Sequence, residues 1–110
     1  MGRSIPITLP NGRGWAKKGD AEVHFRKMLN RYAVWERVVD IDDVSDLTAL
    51  LTVYDENLLP AHSKTGVGID YFEKRPDQEH TGNTACFFVV RTDGTSTDFS
   101  VYKALDSAAK

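Results

Sequence analysis

A single cysteine, Cys86, stands in the whole chain, so no internal disulfide can form and the fold needs no oxidising compartment. Long apolar runs are missing too: nothing approaches the roughly 20 consecutive apolar residues that a bilayer-spanning helix requires. The start, Met1 to Pro6, has no secretory apolar region and does not read as a transit peptide, which gives the expectation of a cytoplasmic protein. Gly2 does not make a myristoylation signal, because Pro6 stands where that motif wants Ser or Thr. There is no internal repeat and no low-complexity segment.

What is present is ordinary for a soluble globular protein: 41% hydrophobic and 27% charged residues in a chain of 110. That length suits one domain spanning 1–110. The net charge of −2 conceals an asymmetry. Residues 1–37 carry eight Lys/Arg against Asp20, Glu22 and Glu36, a balance of +5, and the remainder carries −7. A basic front end on an acidic body suggests one surface able to face a polyanion.

The pattern of residues predicts an α+β fold: an antiparallel sheet packed against two amphipathic helices, with a short C-terminal helix. An N-terminal hairpin is expected over 4–17, turning at Pro10-Asn11-Gly12. Phe25, Met28, Leu29 and Tyr32 recur at helical spacing and predict a helix over about 20–32, with Asp20 as its cap. A second helix is expected over about 43–54, opening at Asp43 with Asp46 as an approximate capping box and burying Leu47, Leu50, Leu51 and Tyr54. Residues 33–41 have strand character but can equally be a plain crossing between helices.

Strands are expected at about 67–74, 85–91 and 96–99. Val67, Ile69 and Tyr71 alternate, with Phe72 on the other face. Ala85 to Val90 is apolar without alternation, as in strands covered on both faces, and belongs at the centre of the sheet. Asp93-Gly94 turns the chain, and Ser100 caps the terminal helix.

Four segments carry a resemblance to the DCL (defective chloroplasts and leaves) family over about residues 15–105: Met28-Leu29-Asn30-Arg31-Tyr32, Leu47 through Leu51, the Lys64-x-Gly66-x-Gly68-Ile69-x-x-Phe72 arrangement, and Phe88 through Ser100. The last is the most distinctive. The family pattern has a His-Pro pair six residues before the lysine, where this chain has Leu58 and Leu59, with Pro60 and His62 nearer. The family includes a plastid protein linked to ribosomal RNA maturation and domains at the tails of plant RNA polymerase subunits. The resemblance therefore implies a nucleic-acid-linked accessory role without supplying a reaction.

Candidate sites are few. On a 3.6-residue helix His24, Lys27 and Arg31 form one stripe, and with Arg13, Lys17 and Lys18 they make the best case for a nucleic-acid-binding surface. Trp15 and Trp35 would stack on bases if exposed. Lys64, Arg91, Asp93, Ser96 and Asp98 compose a possible ligand or partner rim, set against the plainer reading of turns and caps. Ser63-Lys64-Thr65-Gly66 is not a phosphate loop, since it precedes a strand and lacks the first glycine. Asp40, Asp42, Asp43 and Asp46 fail the calcium-loop pattern and read as helix capping. No pair among His24, His62 and His80 has ligand spacing, and Cys86 reads as buried and inert.

No metal, cofactor or catalytic residue is expected. The leading expectation is a non-catalytic accessory domain that binds RNA or joins a nucleic-acid-processing complex, without a membrane or nucleotide cofactor. The rival is a protein–protein interaction module. A small hydrolase or nuclease comes last, because it would require carboxylates or histidines to converge in a cleft.

Overall fold

The computed structural model describes residues 6–56, 64–76 and 85–108. Strands β1 (Ile7–Thr8) and β2 (Gly14–Trp15) form a short antiparallel hairpin. Its turn is set by Gly12 at φ 89, whose amide bonds the Leu9 carbonyl at 3.0 Å. Glycine adopts that left-handed conformation without a Cβ penalty.

Helix α1 spans Lys18–Asn30. It begins two residues before the predicted start, and Asp20 is in its first turn rather than at the cap. The residue at the cap, Lys17, is extended and makes no side-chain cap bond. Helix α2 spans Ile41–Glu56, and its start also corrects the prediction: the Asp40 carboxylate accepts the Asp43 amide at 3.1 Å. Several acidic residues in a row can each satisfy a helix's unpaired amides, so sequence fixes such a start only to within a turn.

The main sheet runs in the order β3 (Ile69–Pro76), β4 (Ala85–Arg91), β5 (Ser96–Phe99), all antiparallel. Strands β4 and β5 have the expected bounds, and β4 is central as predicted. Strand β3 begins two residues late, because Gly66 (φ 56) and Gly68 (φ 130) hold the preceding turn in conformations a strand does not use. Val67, expected to start the alternation, is 67% exposed in that turn. The register slips between Ile69 and Tyr71, leaving Asp70 in a bulge.

The chain between the helices resolves as an edge strap. Trp35 N–H donates to Lys74 O at 2.6 Å, Lys74 N–H to Glu36 O at 3.1 Å, and Val38 N–H to Phe72 O at 2.8 Å. The outer margin of β3 is thereby covered. The Lys74 ammonium meanwhile donates to the carbonyls of Leu29 and Tyr32, at 3.1 and 2.9 Å, so it satisfies the exposed end of α1.

One face of the sheet is buried. Phe72, Phe87, Val89 and Phe99 meet Phe25 and Met28 of α1, Leu47, Leu50 and Leu51 of α2, and Leu105 of α3 (Val101–Ala108) in one core that also takes in Ile7 and Leu9. Each such side chain contributes about 1.5–3 kcal/mol by leaving water. The C-terminal helix α3 is capped as predicted by Ser100, whose Oγ accepts the Lys103 amide at 3.4 Å. The expectation that β4 is covered on both faces is corrected. On the face opposite Phe87 and Val89, Cys86 and Phe88 are only half-buried, and of the β4 residues there Val90 alone is buried.

Candidate functional site

Where α1 meets the start of α2, the sequence places two carboxylates on the same stripe as the buried leucines: Asp43 and Asp46 precede Leu47 and Leu50 by one helical turn. They are accordingly 4% and 2% exposed. Buried carboxylates must be paired, and the partners include Arg13, His24 and Arg31 of the expected basic surface. Asp46 Oδ1 accepts Asn11 Nδ2 at 3.0 Å and sits 3.3 Å from Arg13 Nε, and Oδ2 lies 2.9 Å from His24 Nε2. With Nε2 assigned as donor to that carboxylate, the Arg13 guanidinium 3.3 Å away is a neighbour rather than a second partner. Asp43 Oδ1 accepts Arg31 at 2.9 Å, and Oδ2 accepts the Tyr32 hydroxyl at 2.7 Å.

The hydrogen bond it donates to Asp43 holds the Arg31 guanidinium above its usual range. Burial first, and then the bond to Asp43, pushes the Tyr32 phenol up to about 12. Asn11, Arg13, His24, Asp42, Asp43, Ser45 and Asp46 line an open hollow of about 320 Å³. Carboxylates and a histidine do converge here, as a hydrolase would require. Each of the four oxygens of Asp43 and Asp46, however, already accepts an internal hydrogen bond or ion pair. Among the described residues no group of three or more His, Cys, Asp or Glu is placed to hold a metal ion.

Of the predicted nucleic-acid-binding residues, Arg13 lies beside His24 on Asp46 and Arg31 lies on Asp43, each held by a carboxylate yet still about half exposed, at 49% and 56%. Lys18 is elsewhere, paired with Asp106 of α3, and that hydrogen bond raises its pKa. Lys17 and Lys27 are exposed and have no ion pair among the described residues.

The predicted rim is a knot of internal bonds. Asp55 accepts the amides of Lys64 and Thr65, each at 2.9 Å. Arg91 Nε then donates to Lys64 O at 2.9 Å, passing so close to Gly66 that a Cβ there would lie 2.7 Å from it. Asp93 accepts both the amide and hydroxyl of Thr95, which keeps its carboxyl below the usual range. Lys64 Nζ is 3.5 Å from Asp98, and Ser96 accepts Arg75 at 2.9 Å. The turn-and-cap reading of these residues is the one their geometry describes.

The outer sheet face has a different character. Arg37 lies over the Tyr71 ring at 3.8 Å. Arg75 lies 5.5 Å from the Trp35 ring and 5.1 Å from that of Phe88, with Nε on Glu73 at 2.7 Å. Trp35 is 59% exposed and has φ 73, the one positive-φ residue other than glycine among those described. Such a backbone costs a bulky residue about 1–3 kcal/mol. Trp15, by contrast, packs on His24 and Phe25 at 5.1 and 5.8 Å.

Residues 26–105 match the family described as a protein of unknown function, DUF3223. The chain is also 31% identical over 107 residues to the chloroplastic protein DCL of Solanum lycopersicum, a match that covers 86% of this chain. It belongs to the DCL-type DUF3223 family. The match takes in 45% of the Solanum lycopersicum protein, so the chain spans less than half of that relative's length. A solution NMR structure of an uncharacterised protein from Rhodospirillum rubrum is similar as well, with 34% identity, a TM-score of 0.74, and coverage of 94% of this chain and 91% of that one.

The segments that carry the DCL resemblance have structural tasks in this DUF3223 member. Gly66 makes room for Arg91, Gly68 admits the turn into β3, and Asp93-Gly94 closes the β4–β5 turn, with Gly94 at φ 87. Leu58, Leu59, Pro60, His62 and His80 lie outside the described residues. Sequence reasoning missed Asp43 and Asp46 as partners of the basic stripe. Their one-turn offset from Leu47 and Leu50 was the signal that would have found them. It also missed Arg37, Tyr71, Arg75 and Phe88 as a set, which only strand register brings together.

Proposed function

We propose that this DUF3223 member is a non-catalytic accessory domain that contacts RNA through a line of cationic groups on α1. One observation carries the reading. Lys27 and Arg31 lie one turn apart at the C-terminal end of α1, Lys17 stands at its extended N-terminal boundary, and Arg13 joins from the hairpin beside His24. That line is about 20 Å long, the reach of several nucleotide phosphates. Two of its arginines are fixed from behind by Asp43 and Asp46 while their guanidinium groups stay half open to solvent. Cations ordered before binding lose little entropy when a phosphate arrives. The cytoplasmic placement belongs to the same proposal; among the described residues no helix is long and apolar enough to cross a membrane.

The test is fluorescence anisotropy with a labelled single-stranded RNA at several salt concentrations, comparing the natural chain with Lys17→Glu/Lys27→Glu, which leaves the Asp43 and Asp46 pairs untouched. The double variant is expected to bind at least tenfold more weakly. Its salt slope should fall by about 1.4, or about 0.7 per lost phosphate contact. Equal affinity for both proteins would dispose of the reading. The rival reading, protein docking, draws on the margin of β5, which has no backbone partner on its outer side among the described residues. Arg91, Asp93 and Asp98 would lie beside it.

A further inference from the structure

We infer that the outer sheet face is a stacking platform for unpaired RNA bases, separate from the phosphate line on α1. The inference rests on the RNA reading above and adds a second site with its own ligand chemistry. Its parts are Trp35, Arg37, Tyr71, Arg75 and Phe88. Register puts Tyr71 and Arg75 on the same face of β3, with Phe88 across from Glu73 between them. Trp35 and Arg37 come from the strap along the β3 margin.

Three observations favour a nucleic acid as the occupant. The first is charge. Arg75 is balanced by Glu73, and Asp98, across from Phe88, by Lys64, but Arg37 has no carboxylate partner among the described residues, so the face presents a net cation to a polyanion. The second is the pairing of guanidinium planes with rings, at 3.8 to 5.5 Å. Bases stack on aromatic faces and on arginine planes alike. A protein-docking face, by comparison, centres on a desolvated apolar patch depleted of charge.

The third observation is Trp35 itself. A bulky residue sits in a left-handed backbone conformation and is 59% exposed, so the unfavourable geometry does not serve to bury the ring. It aims an aromatic plane outward beside Arg75 and Phe88. Trp35 is also four residues beyond Arg31, the end of the phosphate line, so at most about 14 Å of chain separates the two sites. A strand whose phosphates follow α1 can set its next bases on this face.

The experiment uses Trp35 as its own reporter. With Trp15→Phe as background, the full chain is titrated with a 12-nucleotide oligouridine, an abasic 12-mer and a blunt RNA duplex. The oligouridine is expected to quench Trp35 emission by a third or more and to bind at least fivefold more tightly than the abasic strand. In a background retaining Trp15, Trp35→Gly and Arg37→Gln should each weaken oligouridine binding at least fivefold without lowering the melting midpoint, because glycine accepts the backbone at position 35. Equal binding of abasic and base-bearing strands, with no quench, overturns the platform and leaves the phosphate line standing. No binding by any strand overturns both. Sedimentation that shows self-association, lost in Trp35→Gly, makes the face a protein contact and likewise overturns the proposal.

Discussion

The helical side of this molecule holds its arginines chiefly by carboxylates, and the sheet side relies more on aromatic rings. On the helical side Arg13 and Arg31 end on carboxylates that are nearly inaccessible to solvent. On the sheet side Arg37 lies over the Tyr71 ring, Arg75 combines a bond to the buried Glu73 with two ring contacts, and Arg91 reaches a backbone carbonyl and a threonine hydroxyl. The first arrangement locks charge in place and makes the fold depend on it. The second leaves Arg37 against a ring and exposed, so substitution there should be felt in recognition more than in stability.

The largest effect expected from this contrast is at Asp46. Asp46→Ala strands Arg13, His24 and Asn11 beside a buried gap, and should cost about 3 kcal/mol in a urea melt. A loss below ~1 kcal/mol would mean that the helical side is not held by its carboxylates. Next comes Gly66→Ala on the sheet side. The left-handed backbone resists a Cβ, and Arg91 must give up its place against Lys64 O. About 1–2 kcal/mol of destabilisation is expected by the same assay. If Gly66→Ala proves as damaging as Asp46→Ala, the distinction between the two sides fails.

The smallest effect concerns alkaline pH. Tyr32 has its pKa raised to about 12 in the folded chain, against 10.0 for the ordinary group. An acid that keeps its proton more tightly when folded adds stability that erodes as pH rises from about 10 through about 12. The natural chain should therefore lose stability over that window more steeply than Tyr32→Phe. Parallel curves for the two proteins would show that the Tyr32 hydroxyl is neither buried nor bonded to Asp43 in solution.

Legibility in the sequence followed the range of the forces involved. Strands β4 and β5, the Asp93-Gly94 turn and the Ser100 cap were readable because each is decided within a few residues. The start of α2 is blurred where neighbouring acids compete for the same amides, and α1 opens after Lys17 with no side-chain cap to mark it. The late start of β3 needed the φ values of Gly66 and Gly68, which the alternation of Val67, Ile69 and Tyr71 obscured. The cationic stripe on α1 was legible as a stripe, but its pairing with Asp43 and Asp46 depends on two helices meeting. The posture of Trp35 was invisible, since it is imposed by a hydrogen bond to Lys74, 39 positions downstream.

Lys74 is where these parts are geared together. Its ammonium grips the trailing carbonyls of α1, its amide and carbonyl clasp the strap beside Trp35, and its strand is the margin of the sheet. The same residue bonds both the end of α1 and the strap that carries the indole. The two surfaces of this small domain are thus mechanically joined through one lysine, and whatever stiffens the helix will also steady the ring.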